Sequence, residues 1–364
     1  MKLPSLLIKN FRVGKCIVQG GMGVEVIRDK EAVKAITEEN CLCTLSSAGL
    51  RTLVSIDLGR KVDTYTAVRI EIEKARTASG GKPIAINVMC ALVGDYEETI
   101  RAAIDGGVDA IVSGAGLPRN LPRIQPPGHT ALIPIVSSAR ALEILLKLWK
   151  GYRPDAVILE GPLAGGHLGF KPWEISDPNF ALEKLLIEVL EVASKYGNIP
   201  VIVAGGIYTY ADIVRFLALG ASGVQLGTRF LATHESSATP GYKQAVVSAR
   251  PEDLIVTAYP DIIPASPCGL PFRAIKGSPA LQRIRVPKCS YGYVLQKGPD
   301  GKLSVCQAMP SNPNCQSFFC ICNGLLPSVG YGPEELSLYT AGTNAYRVDK
   351  IISVKELVRE LSGE

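Results

Sequence analysis

His167 is one of three histidines among 364 residues, and it lies in the segment GPLAGGHLG directly after Gly165 and Gly166. Its side chain, with a reference pKa of about 6.5, can take up or release a proton at neutral pH. A lone histidine is more often a hydrogen-bonded structural residue, but two glycines that follow an apolar segment favour contact with a ligand. We predict that His167 is catalytic, as a base, a hydrogen-bond donor or the neighbour of a cofactor.

Glycine-rich ends of several apolar segments predict a ligand site built from backbone groups. Glycine exposes its N–H and lets a flat or anionic ligand approach closely. Gly205-Gly206 and Gly227-Thr228 follow two consecutive segments, and this pairing is typical of a phosphate site. The candidate ligand-binding residues are Gly20, Gly21, Met22, Asn87, Ser113, Gly165, Gly166, Gly205, Gly206, Gln225, Gly227 and Thr228.

The elements that must position these residues follow an alternating pattern. Eight short apolar segments, stopped by Gly, Ser or Asn, are typical of parallel strands buried on both faces. They are residues 16–20, 41–47, 83–89, 110–116, 131–137, 156–162, 200–206 and 223–229, with helical patterns at 30–39, 64–78, 96–105, 139–149, 180–195 and 211–219. The proline-rich stretch 113–130 predicts little regular helix.

Alternating β and α units predict an α/β fold, and eight of them favour a closed (β/α)8 TIM barrel over an open Rossmann-like sheet. Two observations argue against the open sheet. The first strand is followed by QGGMGVE, which lacks the G-x-G-x-x-G motif of that fold, and no acidic residue clearly ends the second strand. In a barrel, the loops after the strands form the active site. Nearly all of the candidate residues lie at these strand ends or in the loops that follow them.

A Cys/Pro/Gly-rich C-terminal appendage follows the alternating pattern. We divide the chain into a barrel, residues 1–250, and an extension, residues 251–364, that packs on it and ends in an amphipathic helix over 353–361. The extension contains Cys289, Cys306, Cys315, Cys320 and Cys322, whose last four members are spaced C-x8-C-x4-C-x-C. Because this spacing is not a standard zinc or iron–sulfur pattern, reduced thiols are favoured, with a metal site or a disulfide left open and no metal ligands assigned.

Composition excludes several classes of protein. The chain is 47% hydrophobic and 20% charged with a net charge of +5, so it is globular and lacks the concentrated basic face of a nucleic-acid-binding protein. No apolar run is long enough to span a membrane. Lys9, Asn10 and Arg12 interrupt the first apolar stretch before a secretory signal could form. We expect a cytoplasmic protein without a membrane or nucleic-acid partner.

Six motifs, taken together and in order, resemble those of the nitronate monooxygenase family, formerly called 2-nitropropane dioxygenases. They are QGGMG, INV, SGAGLP, AGGHLG, VIVAGGI and GVQLGTRFLATHES. FMN-dependent enoyl-ACP reductases share much of this pattern. The resemblance runs from Gln19 to Ser236 and leaves the cysteine-rich extension outside it. It implies an FMN-dependent TIM barrel.

The resemblance also implies roles for individual residues. Gly20, Gly21 and Met22 would lie against the isoalloxazine ring, and Asn87 would hydrogen-bond the flavin. Gly205, Gly206, Gly227 and Thr228 would hold the FMN phosphate, and Gln225 would contact the ribityl chain or support the phosphate turn. His167 would lie near flavin N5. One departure is Leu163, where the family often has an acidic residue.

Four functional hypotheses follow. The leading one is an FMN-dependent oxidoreductase that oxidises alkyl nitronates with oxygen. The alternatives are an NAD(P)H-dependent enoyl-ACP, or enoyl thioester, reductase with FMN, and a non-catalytic barrel that binds phosphate or a nucleotide; the extension's thiols add electron transfer through an iron–sulfur centre. The expected partners are a small-molecule substrate and, for the reductase, NAD(P)H, and a homodimer is left open.

Overall fold

The computed structural model describes residues 2–282, 296–297, 303–304, 306–308 and 312–364. Eight parallel strands close into a barrel in the order β3-β4-β5-β6-β7-β8-β10-β11, with β11 pairing back to β3. The predicted (β/α)8 architecture is confirmed. The strands are β1 Leu6–Ile8, β2 Phe11–Val13, β3 Ile17–Gln19, β4 Leu42–Ser46, β5 Ile84–Met89, β6 Ala110–Gly114, β7 Ala131–Val136, β8 Val157–Glu160, β9 Gly166–His167, β10 Val201–Ala204, β11 Gly223–Leu226, β12 Leu254–Thr257, β13 Phe272–Ile275, β14 Gln296–Lys297 and β15 Leu303–Ser304.

The helices pack outside the barrel and in the C-terminal extension. Their bounds are α1 Lys30–Glu38, α2 Leu50–Asp57, α3 Thr64–Ala78, α4 Tyr96–Asp105, α5 Leu121–Ile124, α6 Ala139–Leu148, α7 Leu182–Lys195, α8 Tyr210–Ala218, α9 Thr228–Leu231, α10 Pro240–Val247, α11 Ile321–Leu325 and α12 Val354–Ser362. The predicted helices are present, and the proline-rich stretch contains only the short α5. None of the described helices is both long and apolar enough to cross a bilayer.

Helix α2 is an element that the sequence pattern did not predict. It begins directly after the loop that follows β4 and buries Leu50, Leu53 and Val54. These positions are separated by three and four residues, so they share one helix face. Because the helix has only eight residues, its apolar stripe is too brief to be distinguished from a loop by periodicity alone.

The barrel core consists of the strand side chains together with the inner faces of the surrounding helices. All four residues of β10 and all four of β11 are buried, as expected for parallel strands covered on both faces. Full burial of one Val, Leu or Ile side chain contributes about 1.5–3 kcal/mol. This continuous core fixes the positions at which the strands end, and therefore the positions of the loops that form the site.

The C-terminal extension packs on the barrel in two places. Helix α12, which begins at the capping box formed by Ser353 and Glu356, buries Val358 and Leu361 in the barrel core. A second apolar cluster joins barrel residues such as Val24 to extension residues such as Phe319. The extension also adds a strand to the barrel loops, because β13 pairs antiparallel with both β12 and β9. The division at residue 250 stays a prediction.

Candidate active site

A large cavity opens at the carboxyl ends of the barrel strands and measures about 1360 Å³ out to its open mouth. We call it the main cavity. Twelve of the thirteen predicted site residues line it, and the exception is Ser113. The twelve are Gly20, Gly21, Met22, Asn87, Gly165, Gly166, His167, Gly205, Gly206, Gln225, Gly227 and Thr228.

Ser113 lies in β6 and is fully buried. Its hydroxyl donates to the carbonyl of Val88, at 3.0 Å, and lies 2.9 Å from the hydroxyl of Tyr96 in α4. Side chains alternate between the two faces of a strand, and this one faces the surrounding helices. Ser113 therefore ties β6 to β5 and α4, and the structure does not bring it to the cavity with the other candidates.

The end of the main cavity next to β10 and β11 is formed by backbone. Gly205 and Gly206 both adopt left-handed conformations, with φ of +91° and +88°. A Cβ atom on Gly205 would lie 2.9 Å from the carbonyl oxygen of Gly161, which is closer than real Cβ contacts. Only glycine satisfies both the dihedral angle and the close approach. We call residues 205–206 and 227–228 the glycine cradle.

A segment from the extension, residues 340–344, covers the glycine cradle. The amide of Gly342 donates to Thr228 Oγ1 at 2.9 Å, and Asn344 Nδ2 donates to the carbonyl of Gly206 at 2.6 Å. Gly165 is needed here as well, because a Cβ on it would lie 2.5 Å from the carbonyl carbon of Ala341. The sequence analysis missed this segment, since nothing in a local pattern shows that residues more than 100 positions apart are neighbours.

His167 belongs to the short strand β9, where it pairs with Phe272 of β13. The two rings meet edge to face, with centroids 4.9 Å apart, and His167 Nε2 lies 3.0 Å from Ser266 Oγ. The amide of Cys268 donates to the same Ser266 oxygen at 3.3 Å. Burial lowers the pKa of His167 from 6.5 to about 4, so its imidazole is neutral at pH 7.

Glu160 also lines the main cavity, and the sequence analysis did not select it. It is the last residue of β8 and the one charged residue in the eight barrel strands. Burial raises the pKa of its carboxyl to about 8, and within the described residues it has no hydrogen bond or ion pair. The signal was available in the sequence, as an acid that ends the otherwise apolar segment VILE.

Leu163 stands where an acid was expected, and its side chain fills space beside the cradle. It lines the main cavity, and a Cβ on Gly206 would lie 2.9 Å from Leu163 Cδ1. Its carbonyl accepts a hydrogen bond from the amide of Thr343 at 3.0 Å. The carboxyl group of this region is supplied three positions earlier, by Glu160.

Arg273 of β13 holds the loop between Glu160 and His167. It is buried, and its Nη1 donates to the carbonyls of Pro162, at 2.7 Å, and Ala164, at 2.5 Å. Burial lowers the pKa of this guanidinium to about 10. Each buried carbonyl left unpaired would cost about 1–3 kcal/mol, so Arg273 fixes the path of the chain toward His167.

A second cavity, of about 850 Å³ out to its open mouth, adjoins the main one, and we call it the side cavity. Four residues line both cavities: Ala115, Ile135, Glu160 and His167. Glu160 and His167 are the two titratable groups among them. The two cavities therefore meet at a pair of groups that can carry or transfer a proton.

Four cysteines of the extension are absent from the lining of both cavities. Cys306, Cys315, Cys320 and Cys322 are buried, and no disulfide joins any of the described cysteines. Across the described segments, no group of three His, Cys, Asp or Glu side chains is placed to hold a metal ion. Cys289 lies outside the described residues.

Comparison with known proteins gives a consistent result. The family model described as nitronate monooxygenase matches residues 4–364, so the family pattern includes the extension that the motif comparison had placed outside it. A dehydrogenase of Rhodococcus jostii, named for a hydroxy-methyl-oxo-octahydroindene carboxyl-CoA, is 30% identical over 223 residues, which cover 61% of this chain and 56% of that protein. A probable nitronate monooxygenase of Staphylococcus saprophyticus is 32% identical over 166 residues, 44% of each chain. The matched regions thus span about half the length of these curated relatives.

Solved structures with a similar fold cover nearly the whole chain. FabK from Thermotoga maritima superposes with a TM-score of 0.68 at 24% identity, covering 97% of this chain and 92% of that one. A nitroalkane oxidase from Streptomyces ansochromogenes superposes with a TM-score of 0.63 at 21% identity, covering 96% and 95%. At these identities the likeness establishes the barrel fold.

Proposed function

The chain belongs to the nitronate monooxygenase family and is an oxidoreductase, and from this premise we propose that it binds FMN and oxidises alkyl nitronates with oxygen. The observation that carries the proposal is the junction of the two cavities, where His167 and Glu160 both line each cavity. A cofactor in the main cavity and a substrate in the side cavity would meet at these two groups.

The residues of the main cavity suit FMN. The glycine cradle offers a tight backbone turn at two adjacent strand ends, which is suited to a phosphate. Gln225 Oε1 is buried and has no hydrogen-bond partner among the described residues, so a hydroxyl of a ribityl chain would satisfy it. Gly20 and Gly21 pack closely against two other residues of the lining, because a Cβ on them would lie 2.9 Å from Gln225 Cδ and 2.5 Å from Asn87 Cβ. When bound, FMN would supply the electron transfer that the side chains of this site lack.

His167 orients the substrate in this proposal. A nitronate is already deprotonated, so the site needs a hydrogen-bond donor more than a strong base. The depressed pKa of His167 suits a neutral donor. Because Ser266 Oγ already accepts from the amide of Cys268, its own proton can be donated to Nε2, which leaves the Nδ1 proton of His167 for the substrate.

Glu160 keeps the junction neutral. With its pKa raised to about 8, its carboxyl is mostly protonated at pH 7 and can donate a hydrogen bond. A protonated carboxyl also avoids repelling an anionic nitronate. Above pH 8 the carboxylate would form and oppose binding, so the proposal gives activity a limit on the alkaline side.

The test is an absorbance experiment on the purified protein under nitrogen. We expect a flavin spectrum that loses its visible band when the anion of 2-nitropropane is added and regains it in air. Rapid bleaching by NADH or NADPH, without bleaching by the nitronate, would overturn the nitronate reaction in favour of enoyl thioester reduction. That second reaction is favoured by the relative named for a carboxyl-CoA substrate.

A different result would reject both enzymes. If the protein carries no flavin and does not bind added FMN, the third alternative, a non-catalytic barrel that binds phosphate or a nucleotide, is supported. Equilibrium dialysis with FMN and with inorganic phosphate distinguishes this outcome from simple loss of cofactor during purification.

A further inference from the structure

The side cavity has mainly apolar walls. They come from three places around the barrel mouth, namely the loop after β6, the end of β7 with the first half of α6, and the segment just before β13. The apolar lining residues are Leu117, Ile135, Val136, Ala141, Ile144 and Leu270. A hydrocarbon group that packs against these walls is stabilised, because the part of its surface that contacts them is removed from water.

Three ionisable residues line the side cavity: Arg140, Glu160 and His167. Burial favours the neutral forms of Glu160 and His167 at pH 7. Arg140, at the start of α6, is exposed and makes no ion pair with the described residues. The lining of the side cavity therefore carries one net positive charge, and that charge has no acidic partner in the described protein.

Resting on the proposed function, we propose that the side cavity binds the body of the substrate and selects an apolar chain that carries a negatively charged group, with Arg140 pairing to that charge. The reacting carbon then lies at the junction formed by Glu160 and His167. The hydrocarbon part lies along Ile135 and Ile144. The charge is either a carboxylate on the substrate or a phosphate on a thioester carrier, since a guanidinium binds both.

Isothermal titration calorimetry with the FMN-loaded protein at pH 7 tests this proposal. The probes are butanoate, octanoate, octan-1-ol and octanoyl-CoA. We expect octanoate to bind at least ten-fold more tightly than butanoate, because four more methylene groups leave water. Octanoate should also bind more tightly than octan-1-ol. If octanoyl-CoA binds more than ten-fold more tightly than octanoate, the charge is the phosphate of the thioester carrier. If octanoate binds more tightly than octanoyl-CoA, the charge is a carboxylate on the substrate.

Two variants and one control make the result decisive. Arg140→Gln should weaken octanoate binding about five-fold, in keeping with an exposed ion pair, and leave octan-1-ol unchanged. Ile144→Asp, one helical turn away on α6, should weaken octanoate further by adding a like charge. Arg60→Gln, at another exposed arginine, should change nothing.

The proposal is overturned if octanoate and octan-1-ol bind equally well and if Arg140→Gln binds octanoate as tightly as the unchanged protein does. The flavin content and the nitronate bleaching of the same samples report on the proposed function separately. If the redox reaction fails while octanoate binding still depends on Arg140, the proposed function is wrong and the proposal for the side cavity stands. If the redox reaction occurs but octanoate binding does not depend on Arg140, only the proposal for the side cavity is wrong.

Discussion

The two ends of the main cavity are built from different parts of the polypeptide. At the glycine cradle, Gly205 and Gly206 present backbone in left-handed conformations. At the junction with the side cavity, His167 and Glu160 present titratable side chains whose pKa values are moved by burial. The cradle is therefore sensitive to added side-chain atoms, whereas the junction is sensitive to proton concentration.

This difference follows from what each end would recognise. A phosphate group keeps its charge over the working pH range, so fixed N–H groups at a tight turn suffice to hold it. A reacting carbon needs groups that donate or accept protons at the right moment, and those groups must be tuned by their surroundings. Each of the following predictions tests one side of this contrast.

The largest effect is expected from Gly205→Val. A β-branched residue at φ of +91° is strained, and its Cβ would collide with the carbonyl of Gly161. We expect a purified protein without bound flavin and without activity, measured by absorbance and turnover. Gly59→Val, at φ of +61° with open space around it, has the strain without the collision and should keep its flavin. Equal flavin loss in both variants would contradict a role for the cradle.

His167→Ala should retain flavin and lose turnover by about 10²–10³-fold, within the range of general acid–base groups. The reason is that the junction loses its neutral hydrogen-bond donor while the glycine cradle stays intact. Steady-state kinetics and the visible spectrum of the same sample measure both properties. The matched control is His129→Ala, at an exposed histidine. Unchanged turnover in the His167 variant would make His167 structural.

Glu160→Gln should lower kcat/KM about ten-fold at pH 7 and remove the alkaline limb of the pH profile. In the unchanged protein, activity should fall as the pH rises through about 8, where the carboxyl ionises. The amide of glutamine does not titrate, so the limb should disappear. Glu252→Gln, at an exposed glutamate, should leave the profile intact. Persistence of the limb in the Glu160 variant would assign it to another group.

Thermal unfolding should show the same two groups with opposite signs. Folding raises the pKa of Glu160 from 4.5 to about 8. Between these two pH values the folded state therefore binds more protons than the unfolded state, and the stability of the fold declines as the pH rises. The pKa of His167 falls from 6.5 to about 4, so stability declines as the pH drops through that window. Tm measured against pH should lose the first slope in Glu160→Gln and the second in His167→Gln.

Ser266→Ala should give the smallest effect, a loss of about three- to ten-fold in turnover. Ser266 is a positioning residue that fixes the ring of His167 through one hydrogen bond. Its loss should move the acid limb of the pH profile to higher pH, because the neutral imidazole loses the hydrogen bond that Ser266 donates to Nε2. Ser266→Thr keeps the hydroxyl and should restore turnover. A thermal shift without any change in the pH profile would indicate a purely structural contact.

Much of the fold and of the cradle could be predicted from the sequence, because both depend on local chemistry. Parallel strands buried on both faces need uninterrupted apolar segments, and left-handed turns need glycine. Gly205 and Gly206 are visible for that reason. Helix α2 escaped prediction, since eight residues are too few for periodicity to be distinctive. Ser113 was assigned to the site from its strand position alone, and its side chain instead faces α4.

The sequence by itself determined the order of the strands, the glycine turns and the single histidine among them. Only the tertiary structure decided what surrounds that histidine. Ser266 and residues 340–344 reach the site from the extension, and the pKa of Glu160 is raised only because the packed barrel removes water from its carboxyl. Backbone conformation is fixed by the identity of neighbouring residues, whereas burial depends on segments that are distant in the chain and meet only when the core has formed.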